Sequence, residues 1–372
     1  MKKLISFLKK EVVLTISGIL AIASCFLVRP DAKYAGYIDW HTILILFCLM
    51  AVMCGFKDIG LFQYTGETLL KKIKSARGVV CVLVFVCFLS SMFITNDVAL
   101  ITFVPLALLI LNMANMNDSL CYVITLMTIA ANLGSMLTPI GNPQNLYLYS
   151  SSGMALGNFV MLMLPYTVMA AVLLLISIFV RFKKSSVQVE LGDSTNTMNV
   201  RRILYYGFLF VVCLLAVAKI CSIELLFGIV LLAVFIDNRK LLLRIDYSLL
   251  LTFIFFFIFI GNMGRYPAFR HYLKAVLAGR VTLVSVLSSQ VISNVPAALL
   301  LSGFTNDWNH LIIGTNLGGL GTLIASMASL ISYKQLAKNH PDARGKYMAV
   351  FTVFNIVFLI VLYGEYMILG KR

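Results

Sequence analysis

Apolar runs close to the ~20 residues that an α-helix needs to cross a bilayer recur from one end of this 372-residue chain to the other. Only 12% of the residues are charged, against about 25% in a soluble domain, so there is too little charge to coat a water-facing surface. No stretch is long and polar enough to form a separate soluble domain. The reading that follows is an all-α polytopic membrane protein. Near the start, Lys2, Lys3, Lys9 and Lys10 precede an apolar run containing Ala21-Ile22-Ala23-Ser24-Cys25, which has the look of a cleavage site. The run continues through Phe26-Leu27-Val28, so an uncleaved first span is expected.

Candidate spans fall at 11–28, 41–56, 78–93 with 98–111, 120–150 (interrupted), 158–180, 203–220, 223–236, 247–262, 281–292 with 296–302, 309–332 (interrupted) and 347–369. The net charge of +15 would suggest nucleic acid as a partner in a soluble protein. Here it reads as a topological signal, and no nucleic-acid partner is expected. With the N-terminus in the cytoplasm, the inner segments 1–10, 57–77, 181–202, 237–246 and 333–346 hold about 21 of the 30 Lys and Arg residues, as the positive-inside tendency requires. The C-terminus is then external. Arg265, Arg270, Lys274 and Arg280 are the exception. Residues 264–280 read as an amphipathic helix lying at the membrane interface, where such side chains snorkel, and 58–77 fits the same description on the other side. The eight cysteines form no CxxC pair, and neither a disulfide nor a metal site is expected of them.

The two halves of the chain share a pattern. Ser90-Ser91-Met92-Phe93-Ile94-Thr95-Asn96 matches Ser288-Ser289-Gln290-Val291-Ile292-Ser293-Asn294, and Asn132-Leu133-Gly134 with Thr138 matches Asn316-Leu317-Gly318 with Thr322. Upstream, Asp39-Trp40 opens one span as Asp246-Tyr247 opens another. In the topology above, the two copies run in opposite senses, so the expectation is a pair of inverted repeats. The organisation is then a first span and external loop (1–40), a first repeat (41–180) with hairpin 78–111 and broken helix 120–150, a cytoplasmic loop with linking spans (181–246), and a second repeat (247–372) with hairpin 281–302 and broken helix 309–332.

Backbone at membrane depth leaves helical geometry only where protein or a watery cavity satisfies its polar groups. Thr95-Asn96-Asp97 and Ser293-Asn294-Val295-Pro296 interrupt apolar runs whose arms read as short for full spans, so each is expected to be the tip of a re-entrant hairpin. Charge counting leaves two short spans equally open, because both arrangements preserve parity. Pro139, Gly141 and Pro143 break one span, and Gly318, Gly319 and Gly321 weaken its counterpart. Discontinuous helices at matching positions in inverted repeats point to a secondary-transporter site, where helix N-termini face anions and freed carbonyls coordinate Na⁺. The candidate substrate- and ion-binding residues are Thr95, Asn96, Asp97, Asn132, Gly134, Thr138, Gly141, Asn142, Ser293, Asn294, Asn316, Gly318 and Thr322, with Na⁺ near Asn96, Asn142, Asn294 and Asn316. Thr95 or Ser293 could equally cap the second hairpin arm. Asp97 is the one ionisable residue among the candidates, with Val295 as its counterpart, and a carboxylate at membrane depth is a functional candidate. No Lys or Arg is expected at the site.

Thr95-Asn96-Asp97-Val98-Ala99-Leu100-Ile101, and Ala131-Asn132-Leu133-Gly134 followed by Thr138-Pro139-Ile140-Gly141-Asn142-Pro143-Gln144-Asn145, resemble the hairpin tip and broken helix of the ion transporter superfamily. Its members include arsenite permeases, Na⁺/H⁺ antiporters and citrate, dicarboxylate and sulfate carriers. The resemblance covers nearly the whole chain. It implies a mobile transport domain moving elevator-fashion against a scaffold, often as a homodimer, in a bacterial inner membrane. The dicarboxylate carriers have a small hydroxyl residue where this chain has Asp97 and Val295, which weakens the transfer of a dicarboxylate substrate to this chain. The expectation is a Na⁺- or H⁺-coupled secondary transporter of a small inorganic or organic anion, without other cofactors. The alternative is a Na⁺/H⁺ antiporter or arsenite/H⁺ efflux permease using the same site. An enzyme would need a nucleophile–base pair or metal ligands at membrane depth, and the spans offer neither.

Overall fold

The computed structural model describes residues 11–70, 73–186 and 199–369. Lys2, Lys3, Lys9, Lys10, Lys71, Lys72 and residues 187–198 of the expected cytoplasmic loop lie outside the described residues. Among those described, the regular elements are α-helices and short 3-10 turns.

In chain order the helices are α1 (Val12–Leu27), α2 (Trp40–Ile59), α3 (Leu61–Leu70), α4 (Ala76–Ile94), α5 (Asn96–Met113), α6 (Leu120–Ser135), α7 (Pro143–Ser152), α8 (Leu156–Arg181) and α9 (Val200–Val217). They continue with α10 (Ile223–Asn238), α11 (Tyr247–Arg265), α12 (Pro267–Leu277), α13 (Val281–Ile292), α14 (Asn294–Ser302), α15 (Trp308–Leu317), α16 (Met327–Asn339) and α17 (Arg344–Leu369). Helices α2, α4, α5, α8, α9 and α11, together with Pro341–Leu369, are long and apolar enough to cross a membrane. With this many spanning helices the chain is a polytopic membrane protein.

The sequence-matched segments fold alike. Asp39 and Asp246 both sit just before a span and cap it, accepting from Thr42 N at 3.1 Å and from Leu249 N at 3.0 Å. Each such bond satisfies one of the donors that a helix start leaves open. A short helix follows each of these spans, α3 after α2 and α12 after α11. Then come paired helices joined by a single residue: α4 and α5 through Thr95, α13 and α14 through Ser293. The next span is broken in both halves, between α6 and α7 and between α15 and α16.

Two expectations about these elements need correction. The arms of the second pair are short, 12 and 9 residues, but those of the first are 19 and 18. At 1.5 Å per residue, α4 and α5 each reach about 28 Å, so arm length does not mark this pair as re-entrant. No proline falls between Ser75, which caps α4, and Thr95, so the helix continues without a break. The second broken span also extends past 332, because residues 333–339 remain helical in α16.

Several chain segments meet at one face. Ala76 N donates to Ser185 O at 2.9 Å and Arg77 Nε to Phe182 O at 2.7 Å, joining the start of α4 to the end of α8. Lys346 Nζ donates to Asp118 O at 3.3 Å, joining the starts of α6 and α17.

Candidate functional site

The two tips share an unusual backbone. Thr95 has φ 67° and ψ 146°, and Ser293 has φ 74° and ψ 155°, a region that residues other than glycine rarely occupy. One residue in this conformation ends a helix and reverses the chain, so the next helix begins at once. In both halves the following asparagine secures that start. Asn96 Oδ1 accepts from Asp97 N at 3.0 Å, and Asn294 Oδ1 accepts from Val295 N at 3.0 Å. Thr95 and Ser293 do hold the N-cap positions of the second arms, but among the described residues neither hydroxyl makes a capping bond, and the side-chain acceptor at each start is the asparagine that follows.

Each tip is tied to its broken span in the same way. Thr138 Oγ1 donates to Met92 O, and at the matched positions Thr322 Oγ1 donates to Gln290 O at 3.0 Å. Gly134 and Gly318 occupy matched crossing points. A Cβ on Gly134 would stand 2.6 Å from Ser91 Oγ, and one on Gly318 would stand 2.5 Å from Ser289 Oγ, so any larger residue would push tip and broken span apart. Gly141 is likewise closed in, by the Ser135 carbonyl.

The asparagines of the two halves meet in the interior, none more than 5% exposed. Asn132 Oδ1 accepts from Asn96 Nδ2 at 3.1 Å and from Ser326 Oγ at 2.9 Å. Asn316 Oδ1 accepts from Asn142 Nδ2 at 3.4 Å, while Asn316 Nδ2 donates to Asn145 Oδ1 at 2.7 Å. Asn294 lies close by, its Nδ2 within 3.0 Å of where a Cβ on Gly319 would sit. Buried amides must be paired, and here the pairing runs across the two halves. Asn145, Ser326 and Gln290 were not among the candidates. Gln290 Nε2 donates to Gly318 O and Leu320 O at 3.0 and 2.9 Å, and its Oε1 accepts from Thr322 N at 2.8 Å. Its first-half counterpart is the apolar Met92, so repeat matching gave no signal for it.

A cavity of about 610 Å³ reaches this cluster from one side. Of the candidates, Thr95, Asp97 and Asn142 line it. Asn96, Asn132, Gly134, Gly141, Ser293, Asn294, Asn316 and Gly318 are buried behind it, Thr138 is half-buried away from it, and Thr322 is exposed elsewhere. Asp97 sits in the first turn of α5, its Oδ1 without a hydrogen-bond partner among the described residues. The facing wall is α2, from Leu46 to Asp58, with Arg244 and Asp246.

That wall corrects the expectation that no Lys or Arg approaches the site. Lys57 and Arg244 line the cavity, Lys57 from the last turn of α2 and Arg244 from the turn Arg239–Arg244, which Asp58 holds against the end of α2. Arg244 pairs with Asp58 at 2.9 Å, Asp58 with Arg202 at 3.3 Å, and Arg202 with Asp237 at 2.7 Å. Lys57 has no ion pair among the described residues. No group of three or more His, Cys, Asp or Glu could hold a metal ion among them. A cation at this site would have to use amide, hydroxyl and backbone oxygens, together with Asp97.

Two single-residue tips, two interrupted helices and a cavity ending between them define a multi-pass membrane protein of the transporter class. The chain belongs to the citrate transporter family, which matches it over residues 4–305. It is 34% identical over 328 residues to an uncharacterised transporter of Methanocaldococcus jannaschii, covering 87% of this chain and 88% of that one. It is 32% identical over 321 residues to the inner membrane protein YbiR of Escherichia coli, covering 84% of each. A shorter stretch of 138 residues, 37% of this chain and 28% of the relative, is 31% identical to the silicon efflux transporter LSI3 of rice. The family is one of transporters, and this protein is not an enzyme.

Proposed function

We propose that this protein is a secondary transporter that moves a small inorganic or organic anion across a bacterial inner membrane, coupled to Na⁺ or H⁺. The observation that carries the reading is the cavity ending at Thr95, Asp97 and Asn142, where a hairpin tip meets a broken helix. The starts of α5 and α7 both abut it, and helix N-termini favour anions by about 0.3–2 kcal/mol each. Lys57 and Arg244 add positive charge on the facing wall. That is too little to carry a multivalent anion through hydrocarbon unaided. A carboxylate at Asp97 would repel the anion unless a proton or Na⁺ neutralised it, which gives coupling a physical basis.

The two halves act as inverted repeats in this reading, with the hairpins and broken helices moving together against a scaffold that includes α2. With the N-terminus placed in the cytoplasm, segments 57–77 and 181–202 share the inner side, a pairing that the joining of Arg77 to the Phe182 carbonyl supports. The cavity mouth, with Lys57, Asp58 and Arg244, then faces the cytoplasm. A second reading, a Na⁺/H⁺ antiporter or an arsenite/H⁺ efflux permease, is favoured by the Asp97 oxygen that has no hydrogen-bond partner among the described residues and by the efflux role in the name of the rice relative.

The test is flux of labelled anions, arsenite included, in proteoliposomes with imposed Na⁺ or pH gradients. Anion movement that follows either gradient supports the first reading. Na⁺/H⁺ exchange without any anion, or arsenite extrusion alone, supports the second. No gradient-driven movement of any of these would overturn both.

A further inference from the structure

Helix α12 carries a basic surface that shares no residue with the lining of the cavity ending at Thr95, Asp97 and Asn142. It bends 113° away from α13, so it cannot run parallel to the span it precedes. Its inner face, Phe269, Leu273, Val276 and Leu277, is partly or fully buried. Phe269 packs against Phe259 and Phe304, with ring centroids 6.3 and 5.6 Å away. Its outer face holds Arg270, His271 and Lys274, all exposed, around a recess of about 530 Å³ that also takes in Gly264, Arg265 and Pro267.

Among the described residues, no acid lines that recess. The nearby Asp31 is fully engaged by Arg265, with Nη2–Oδ2 at 2.8 Å and Nη1–Oδ1 at 3.0 Å. The guanidinium holds the Asp31 carboxyl below the usual carboxylate range, so it stays ionised and paired at neutral pH. Arg265 is fixed further by the Tyr37 hydroxyl at 2.9 Å. Arg270 and Lys274 stand four residues apart, a spacing at which like charges repel on a helix, and no protein group among the described residues neutralises them.

We propose that Arg270, His271 and Lys274 bind the phosphate of an anionic phospholipid headgroup. A lipid is favoured over a soluble phosphate by what surrounds the recess. The recess lies where the span α11 closes at Arg265, and a span ends at the depth of the headgroup layer. Tyr266 and Tyr272 flank it at 40% and 65% exposure, as aromatic side chains do at membrane interfaces. The proposal depends on the membrane setting and not on which ion or substrate is carried.

The test uses the purified full-length protein in neutral detergent. Binding of phosphatidylglycerol and phosphatidylcholine is compared by native mass spectrometry and by thermal shift, with inorganic phosphate as the soluble probe. Wild type is expected to prefer phosphatidylglycerol. An Arg270→Gln/Lys274→Gln variant should bind it about 30-fold more weakly, at about 1 kcal/mol for each surface cation. Arg280→Gln, outside the recess, should keep the wild-type preference. Equal binding of the two lipids by wild type overturns the proposal without any variant. So does an undiminished preference in the double variant, or inorganic phosphate reproducing the full shift.

Discussion

The amide of Asn142 donates to Asn316 Oδ1 at 3.4 Å across 174 positions of sequence, joining the broken helix of the first half to that of the second. Asn142 also holds the start of α7 by accepting from Asn145 N at 3.1 Å. One side chain thus belongs to a helix cap, to the contact between halves and to the cavity lining.

The amide cluster predicts that stability and transport separate by position. Asn132→Ala removes the acceptor of both Asn96 Nδ2 and Ser326 Oγ, and an unpaired buried group costs about 1–3 kcal/mol. Asn294→Ala gives up a tip bond to Val295 N and should cost less. Thermal unfolding in detergent should rank Asn132→Ala below Asn294→Ala, while proteoliposome flux should be lost in both. Wild-type flux in Asn294→Ala would remove the second tip from the site.

Gln290 should matter to the second half in a way that Met92 does not to the first. Gln290→Ala leaves Thr322 N and the Gly318 and Leu320 carbonyls without their side-chain partner, again about 1–3 kcal/mol. Met92→Ala loses only packing. The expected readout is faster amide hydrogen exchange at 318–322 in Gln290→Ala, with no change at 134–138 in Met92→Ala.

Asp97→Asn mimics a neutralised carboxyl. The variant should still bind substrate, seen as thermal stabilisation by the transported anion, but lose the pH dependence of flux. A pH profile and gradient dependence identical to wild type would reduce Asp97 to part of the cavity wall and leave coupling to a cation held by amide and carbonyl oxygens.

The cavity wall predicts a binding role for Arg244. Arg244→Gln should raise KM for the anion with a smaller change in kcat, because the side chain attracts substrate at the mouth. Asp58→Asn, which frees Arg244 from its ion pair, should lower KM or leave it unchanged. A KM that is unaffected by Arg244→Gln would confine that residue to its pair with Asp58.

Orientation can be read by thiol labelling. On a background without other cysteines, Lys184→Cys and native Cys54, which lines the cavity, should react with an impermeant reagent only from the cytoplasmic side. Labelling of Lys184→Cys from outside intact cells would reverse the assigned topology.

The all-helical, membrane-spanning character of the chain was set by sequence alone, since apolar runs of bilayer length admit little else. So were the positions of the tips and breaks, because the prolines at 139 and 143 and the Ser293-Asn294-Val295-Pro296 stretch act on the local backbone whatever surrounds them. The matched Asp caps at 39 and 246 are local in the same sense. What only the tertiary structure decided depends on residues far apart in the chain. The arms of the first hairpin proved full length, because helix length follows the local run and not the depth at which the tip ends. Gln290 and Asn145 emerged as partners of carbonyls and amides that sequence spacing cannot bring together. Arg244 joined Lys57 at the cavity because the 239–244 turn meets the end of α2, a contact spanning 186 positions between Arg244 and Asp58. Local chemistry is written residue by residue, but which charges share a cavity is settled only when distant helices pack.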